Sequence, residues 1–144
     1  MGKKRVIKKS TGSVDEGLRS RSLSRATKKK VSAGILHIQS TYNNTRLQLT
    51  DQAGNSLAWS SSGALGFSGA KKGTTFAAGK VGELLADRAE GMGVKEVEVV
   101  IRGVGSGREA AIRAFASRGI AINAIKDATP RPFNGPKPKK PRRV

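Results

Sequence analysis

The distribution of charge constrains this chain more than any other feature of its sequence. Residues 1–30 carry eleven Lys and Arg against two acids, a net +9, and residues 130–144 carry six and none, a net +6. The ninety-nine residues between them carry eleven against eight, a net +3, so +15 of the formal +18 falls on two short termini. Like charges repel, and segments this polar bury too little apolar surface to offset the entropy of ordering a backbone. Any hydrophobic core must therefore come from the middle. The chain divides into a basic N-terminal extension (1–30), a globular domain (31–129) and a basic, proline-rich C-terminal tail (130–144), with both tails expected to be disordered alone.

A chain of 144 residues fits one domain and can bury roughly two-thirds of its unfolded surface without disulfides or a structural metal. The absence of cysteine removes thiolate chemistry, zinc ribbons and iron–sulfur clusters, and a single histidine, His37, leaves almost no route to a zinc site. The longest apolar runs, such as residues 97–101 with Glu98 inside, fall far short of the ~20 residues that cross a bilayer. The basic N-terminus is not followed by the apolar stretch of a secretory signal. A cytoplasmic protein is expected, with no metal, cofactor, membrane or small-molecule substrate.

Basic tails need an anion to settle on. The C-terminal tail holds all five prolines, which favour extended backbone and lower the entropy lost on docking. Lys137, Lys139, Lys140, Arg142 and Arg143 along such a backbone match a ladder of phosphates, and each contact would release counterions. Nucleic acid leads as the partner class, ahead of an anionic membrane, because nothing amphipathic accompanies the basic residues.

In the middle segment, residues 33–40 and 46–51 read as strands, the second with clear two-residue alternation, and Tyr42-Asn43-Asn44-Thr45 between them favours a hairpin. After a turn at 51–55, residues 56–61 alternate again with Leu57 and Trp59 on one face, completing a meander. Residues 62–73 read as a glycine-rich loop carrying Lys71 and Lys72. Thr74 can cap a helix over 75–90 with an apolar stripe of Phe76, Val81, Leu84, Leu85 and Ala89. Gly79 and Gly82 in that helix, each costing about 1 kcal/mol relative to Ala, suggest close packing on the sheet. Residues 94–101 form a strand with Val97, Val99 and Ile101 on one face. A helix over 108–118 turns Ile112, Phe115 and Ala116 inward, and residues 120–127 supply the last strand. The order βββαβαβ, with two crossovers, gives an α/β fold on a mixed sheet.

Between the fourth strand and second helix, Gly103-Val104-Gly105-Ser106-Gly107 is flanked by Arg102 and Arg108. Backbone N–H groups and paired guanidiniums suit a phosphate, although alternating glycines also serve tight packing. The spacing fits neither a dinucleotide fingerprint nor a Walker A loop, which argues against a nucleotide enzyme. Lys71 and Lys72 repeat the design of a cationic loop feeding a helix, and both loops are expected to share one basic face. Asp51, Glu98 and Asp127 could hold paired metals in a nuclease, but single acids at strand ends more often form turns or meet solvent. His37 reads as structural, Trp59 as core, and Tyr42 as a turn tip facing partner or solvent.

Taken in order, His37-Ile38-Gln39, Tyr42-Asn43-Asn44-Thr45, Trp59-Ser60-Ser61, Phe76-Ala77-Ala78, Gly103 to Glu109 and Asp127-Ala128-Thr129-Pro130 resemble the bacterial-type eleventh protein of the small ribosomal subunit. The resemblance runs from about residue 34 to the C-terminus, where Asn134-Gly135 and the Lys/Pro/Arg tail ending in Val144 are its most specific part. It implies a three-layer α/β fold of the ribonuclease-H-like kind without its activity. It further implies a place on the subunit platform, binding to small-subunit rRNA near the messenger exit, contact with neighbouring platform proteins, and help in shaping the cleft for the Shine–Dalgarno helix of the mRNA. No cofactor is implied. Carried onto this sequence, the RNA-contacting positions are Asn43, Asn44, Lys71, Lys72, Arg102, Arg108, Arg131, Asn134, Lys137, Lys139, Lys140, Arg142 and Arg143. The family usually has prolines where Val104, Ser106 and Thr75 stand here, which alters the stiffness of those segments and not their charge. The rival readings are a ribonuclease-H-like nuclease and a DNA-compacting protein; the latter would need a wedge-bearing β-arm or a dimer seam. Asn134-Gly135 is also suited to succinimide formation, since glycine does not shield the attacking nitrogen.

Overall fold

Five strands and two α-helices make up the regular structure of the computed structural model, which describes residues 30–141 and 143. Strands β1 (Ala33–Ser40), β2 (Thr45–Thr50) and β3 (Ser56–Ser61) precede helix α1 (Thr75–Gly91), β4 (Glu96–Arg102), helix α2 (Gly107–Ala116) and β5 (Ala121–Asp127). The sheet order is β3-β2-β1-β4-β5, antiparallel through the meander and parallel from β1 to β4 to β5. The α/β class, the mixed sheet and the βββαβαβ order are thus as expected. The N-terminal extension up to residue 29 lies outside the described residues, as do Arg142 and Val144.

Alternation along the strands builds the core. Leu36 and Ile38 of β1, Leu47 and Leu49 of β2, and Val97, Val99 and Ile101 of β4 point to one face and are buried. Both crossovers move the chain in the same direction across the sheet, and right-handed connections then lay both helices over that face. Helix α1 contributes Ala77, Ala78, Val81, Leu84, Leu85 and Ala89, and α2 contributes Ala111 and Phe115, to a single apolar cluster. Among the described residues the opposite face carries no helix, and Arg46, Trp59, Glu98 and Arg102 stand exposed on it.

Three packing expectations are corrected. Trp59 is not core: β3 has a bulge, in which Leu49 pairs with Ala58 but Thr50 pairs with Ser56, so Leu57 is the extra residue. The inserted residue reverses the alternation, Leu57 and Ala58 both turn inward, and Trp59 falls on the outer face, 52% exposed. Phe76 is not part of the buried stripe and is 58% exposed. Its neighbours at helical spacing are Lys80 and Glu83 on the flank of α1; it meets Phe67 edge-on at 6.1 Å and lies under the Lys80 ammonium. Gly82 packs against the other helix and not the sheet, since a Cβ there would lie 2.7 Å from the Ala111 carbonyl, whereas Gly79 has open space beside it. The glycine-rich loop also contains two short 3-10 turns, Gly63–Leu65 and Gly69–Gly73.

Candidate nucleic-acid interface

The cationic loops meet at the carboxyl ends of β1 and β4. After Ser40 the chain turns at once: Thr41 N–H donates to the Asn44 carbonyl at 2.8 Å, and the Thr41 hydroxyl donates to the same carbonyl while accepting from Asn44 N–H, each at 3.1 Å. This closed turn leaves Tyr42 and Asn43 exposed, with Asn44 half-buried. The side-chain oxygen of Asn44 is shielded and finds no donor among the described residues.

The glycine loop rests on this turn. Gly103 has φ +98°, a left-handed conformation, and a side chain there would strike the Ser40 carbonyl. Gly105 N–H donates to the Ser40 carbonyl at 3.0 Å, and Gly105 and Gly107 likewise leave no room for a Cβ against Ser40, Thr41 and Thr45. The alternating glycines therefore serve close main-chain approach, and the polar reach of the loop comes from its flanking side chains. The loop of Lys71 and Lys72 joins the same end. Gly73 abuts the Tyr42 carbonyl, and the Ser106 hydroxyl donates to the Gly73 carbonyl at 3.0 Å. The Thr74 hydroxyl donates to the Lys71 carbonyl at 2.7 Å and caps α1 by accepting from Ala77 N–H at 3.3 Å.

The tail departs from this cluster. Ala128 N–H donates to the Ile101 carbonyl at 2.8 Å, and Gly103 N–H donates to the Thr129 hydroxyl at 3.2 Å. Asp127 accepts from both Thr129 N–H at 2.9 Å and the Thr129 hydroxyl at 2.6 Å, and it pairs with Arg108. The Thr129 hydrogen bonds, then the Arg108 guanidinium, hold the Asp127 carboxyl down at about 2, against an ordinary 3.8. Arg108 is thus shared between solvent and an internal partner that locks the loop to the root of the tail. Sequence reading had Asp127 as a solvated or turn-forming acid and missed this clasp; the two-residue spacing from Asp127 to Thr129 is the signal that could have revealed it.

Of the sequence-predicted residues, Asn43, Asn44, Lys71, Lys72, Arg102 and Arg108 lie on segments that meet at this end of the sheet, with Arg102 exposed on its outer face. Arg131, Asn134, Lys137, Lys139, Lys140 and Arg143 lie on a tail that forms no helix or strand and is exposed throughout its described length. Asn134 takes φ +54° ahead of Gly135. The three carboxylates weighed for a nuclease do not converge. Asp51 accepts from Asn55 in its turn at 2.8 and 2.9 Å, Glu98 is exposed on the outer face, and Asp127 is held by Thr129 and Arg108. Among the described residues no group of three or more His, Asp or Glu is placed to hold a metal. His37 contacts the Thr50 hydroxyl through Nε2 at 3.3 Å, and burial followed by the nearby Arg102 charge lowers its pKa from 6.5, so the ring is neutral at neutral pH.

A nearly neutral α/β body with cationic loops gathered at one end of its sheet is the build of a polyanion-binding protein. The family of ribosomal protein S11 matches residues 34–143, most of the chain, and the chain belongs to that family. It is a structural component of the small ribosomal subunit of the cytoplasmic ribosome, where the family binds small-subunit rRNA and other ribosomal proteins; the family is not one of enzymes.

Proposed function

We propose that the protein sits on the platform of the small subunit near the messenger exit, neighbours other platform proteins, and helps shape the cleft in which the Shine–Dalgarno helix of the mRNA lies. Its rRNA contacts are Asn43, Asn44, Lys71, Lys72, Arg102 and Arg108 at the loop end, and Arg131, Asn134, Lys137, Lys139, Lys140, Arg142 and Arg143 on the tail. The observation that carries this reading is the convergence of the 41–44 turn, the Lys71–Lys72 loop, the Arg102–Arg108 loop and the tail root on the ends of β1 and β4. Two of these segments bring Lys71, Lys72, Arg102 and Arg108 to this end of the sheet, the turn adds Asn43 and Asn44, and the last starts the basic tail, a spread of cations and amides that suits a folded RNA better than a small ligand.

The chain has no cysteine, so a single one introduced at Lys71 or Arg131 can tether an iron chelate without background. Hydroxyl-radical cleavage in purified small subunits is expected to cut rRNA of the platform around the messenger exit. Cleavage elsewhere, or none from either position, would refute the placement. Arg108→Ala is expected to weaken RNA binding by about 1–3 kcal/mol regardless of RNA sequence, as for a lost charge-assisted bond. Unchanged retention on filters would remove that loop from the contacts.

A further inference from the structure

The outer face of the sheet carries a second cluster that shares only Arg102 with the loop interface. Register places Trp59, Gln48, His37, Val100 and Lys126 in one row across all five strands, with Arg46, Gln39 and Arg102 in the next. No acid stands in either row; Glu96 and Glu98 lie toward the opposite ends of the strands. The Arg46 guanidinium lies over the Trp59 ring, 5.3 Å from its centroid, and the ring is half-exposed. An indole and a guanidinium plane both stack on nucleobases. Gln48, Gln39 and the neutral His37 beside them offer hydrogen bonds suited to base edges, and Arg102 joins this face to the glycine loop.

We infer that the outer face, from Trp59 to Arg102, is a docking site for an unpaired stretch of RNA. One base stacks on Trp59, and the flanking phosphates lie against Arg46, Arg102 and Lys126. The charge decides the occupant: with three cations and no acid in the two rows, the face complements a polyanion, whereas a protein covering it would have to bring its own acids. This assignment rests on the RNA-binding reading above and adds to it a site for single strands that adjoins the loop end through Arg102.

Trp59 is the only tryptophan in the chain, so its emission reports this face alone. The full chain is titrated with a single-stranded oligoadenylate decamer and, separately, with an RNA duplex of the same length, while filter retention follows binding independently. The decamer is expected to quench Trp59 in step with retention, and the duplex to leave emission nearly unchanged. Trp59→Ala is expected to weaken the decamer by between about 5- and 150-fold, Trp59→Phe to keep most of the affinity, and duplex retention to be unaltered by either. The ring is half in solvent, so both variants should fold, and circular dichroism checks this. Retention of the decamer with no change in emission, or equal affinity for Trp59→Ala, would overturn the inference, leave the RNA-binding reading standing and turn the face over to a protein partner. Failure to retain either RNA would sink both.

Discussion

Cutting the chain after Thr129 separates the role of the tail from that of the folded body. The cut keeps the last anchors, which are the Ala128 bond to Ile101, the Thr129 bond to Gly103 and the Asp127 clasp. It removes six cations and no acid, taking the net charge from +18 to +12. No residue beyond 129 belongs to the apolar cluster, so stability should change by less than about 0.5 kcal/mol. The described tail cations are all exposed and available to phosphate. Counterion release contributes a slope of about −0.7 to −0.9 per neutralised phosphate, so six contacts amount to about 4 to 5 in the slope of log affinity against log salt. Between about 50 and 200 mM salt, a slope change of that size is a difference of several hundred- to a thousandfold in how far affinity falls. Filter binding to a small-subunit rRNA fragment across that range, for full-length and truncated chains, measures both slopes. Parallel lines, with the truncated protein folded, would refute the assignment of the tail to the RNA.

The remaining expectations concern the body and its clasp. Phe115 is wholly buried between α2 and the sheet, so Phe115→Ala should lower unfolding free energy by about 3–5 kcal/mol in urea titrations; a loss below about 1 kcal/mol would mean the core is not built as described. Gly103→Val forces a branched side chain onto a φ of +98° and against the Ser40 carbonyl, and should cost at least about 2 kcal/mol while weakening RNA binding through the displaced loop. The Asp127 carboxyl is held at about 2, below its ordinary 3.8. Its contribution is complete above the ordinary value and is lost as pH falls through 4 toward 2. The Thr129 amide resonance should therefore titrate near 2, and Asp127→Asn should abolish the transition; a midpoint near 4 would argue against the clasp.

What was legible in the sequence was mainly what has a period. Leu47 and Leu49, Val97 to Ile101, and the stripe from Val81 to Ala89 announced their buried faces because one side of each element meets the core. The crossover rule then brought the two cationic loops to one end. Trp59 was misread because a single extra residue, Leu57, reverses the alternation, and a bulge depends on the partner strand's register. Phe76 lies one step off the stripe, a difference that apolar character alone cannot resolve. Gly82 signalled close approach correctly, but only packing reveals that the approaching group is Ala111 of the second helix. The Asp127 clasp joins residues 108, 127 and 129, and such a junction exists only once β4 and β5 lie side by side.

The loop end draws on the turn after β1, the segment before α1, the stretch after β4 and the exit from β5. The turn closes on its own hydrogen bonds, and the others rest on neighbouring main chain: Gly103 and Gly105 against Ser40 and Thr41, Gly73 against Tyr42, and Ala128 on Ile101. During synthesis the exit from β5 is made after the other three segments. A chain that has not yet reached Asp127 and Thr129 therefore lacks the clasp that ties the glycine loop to the root of the tail.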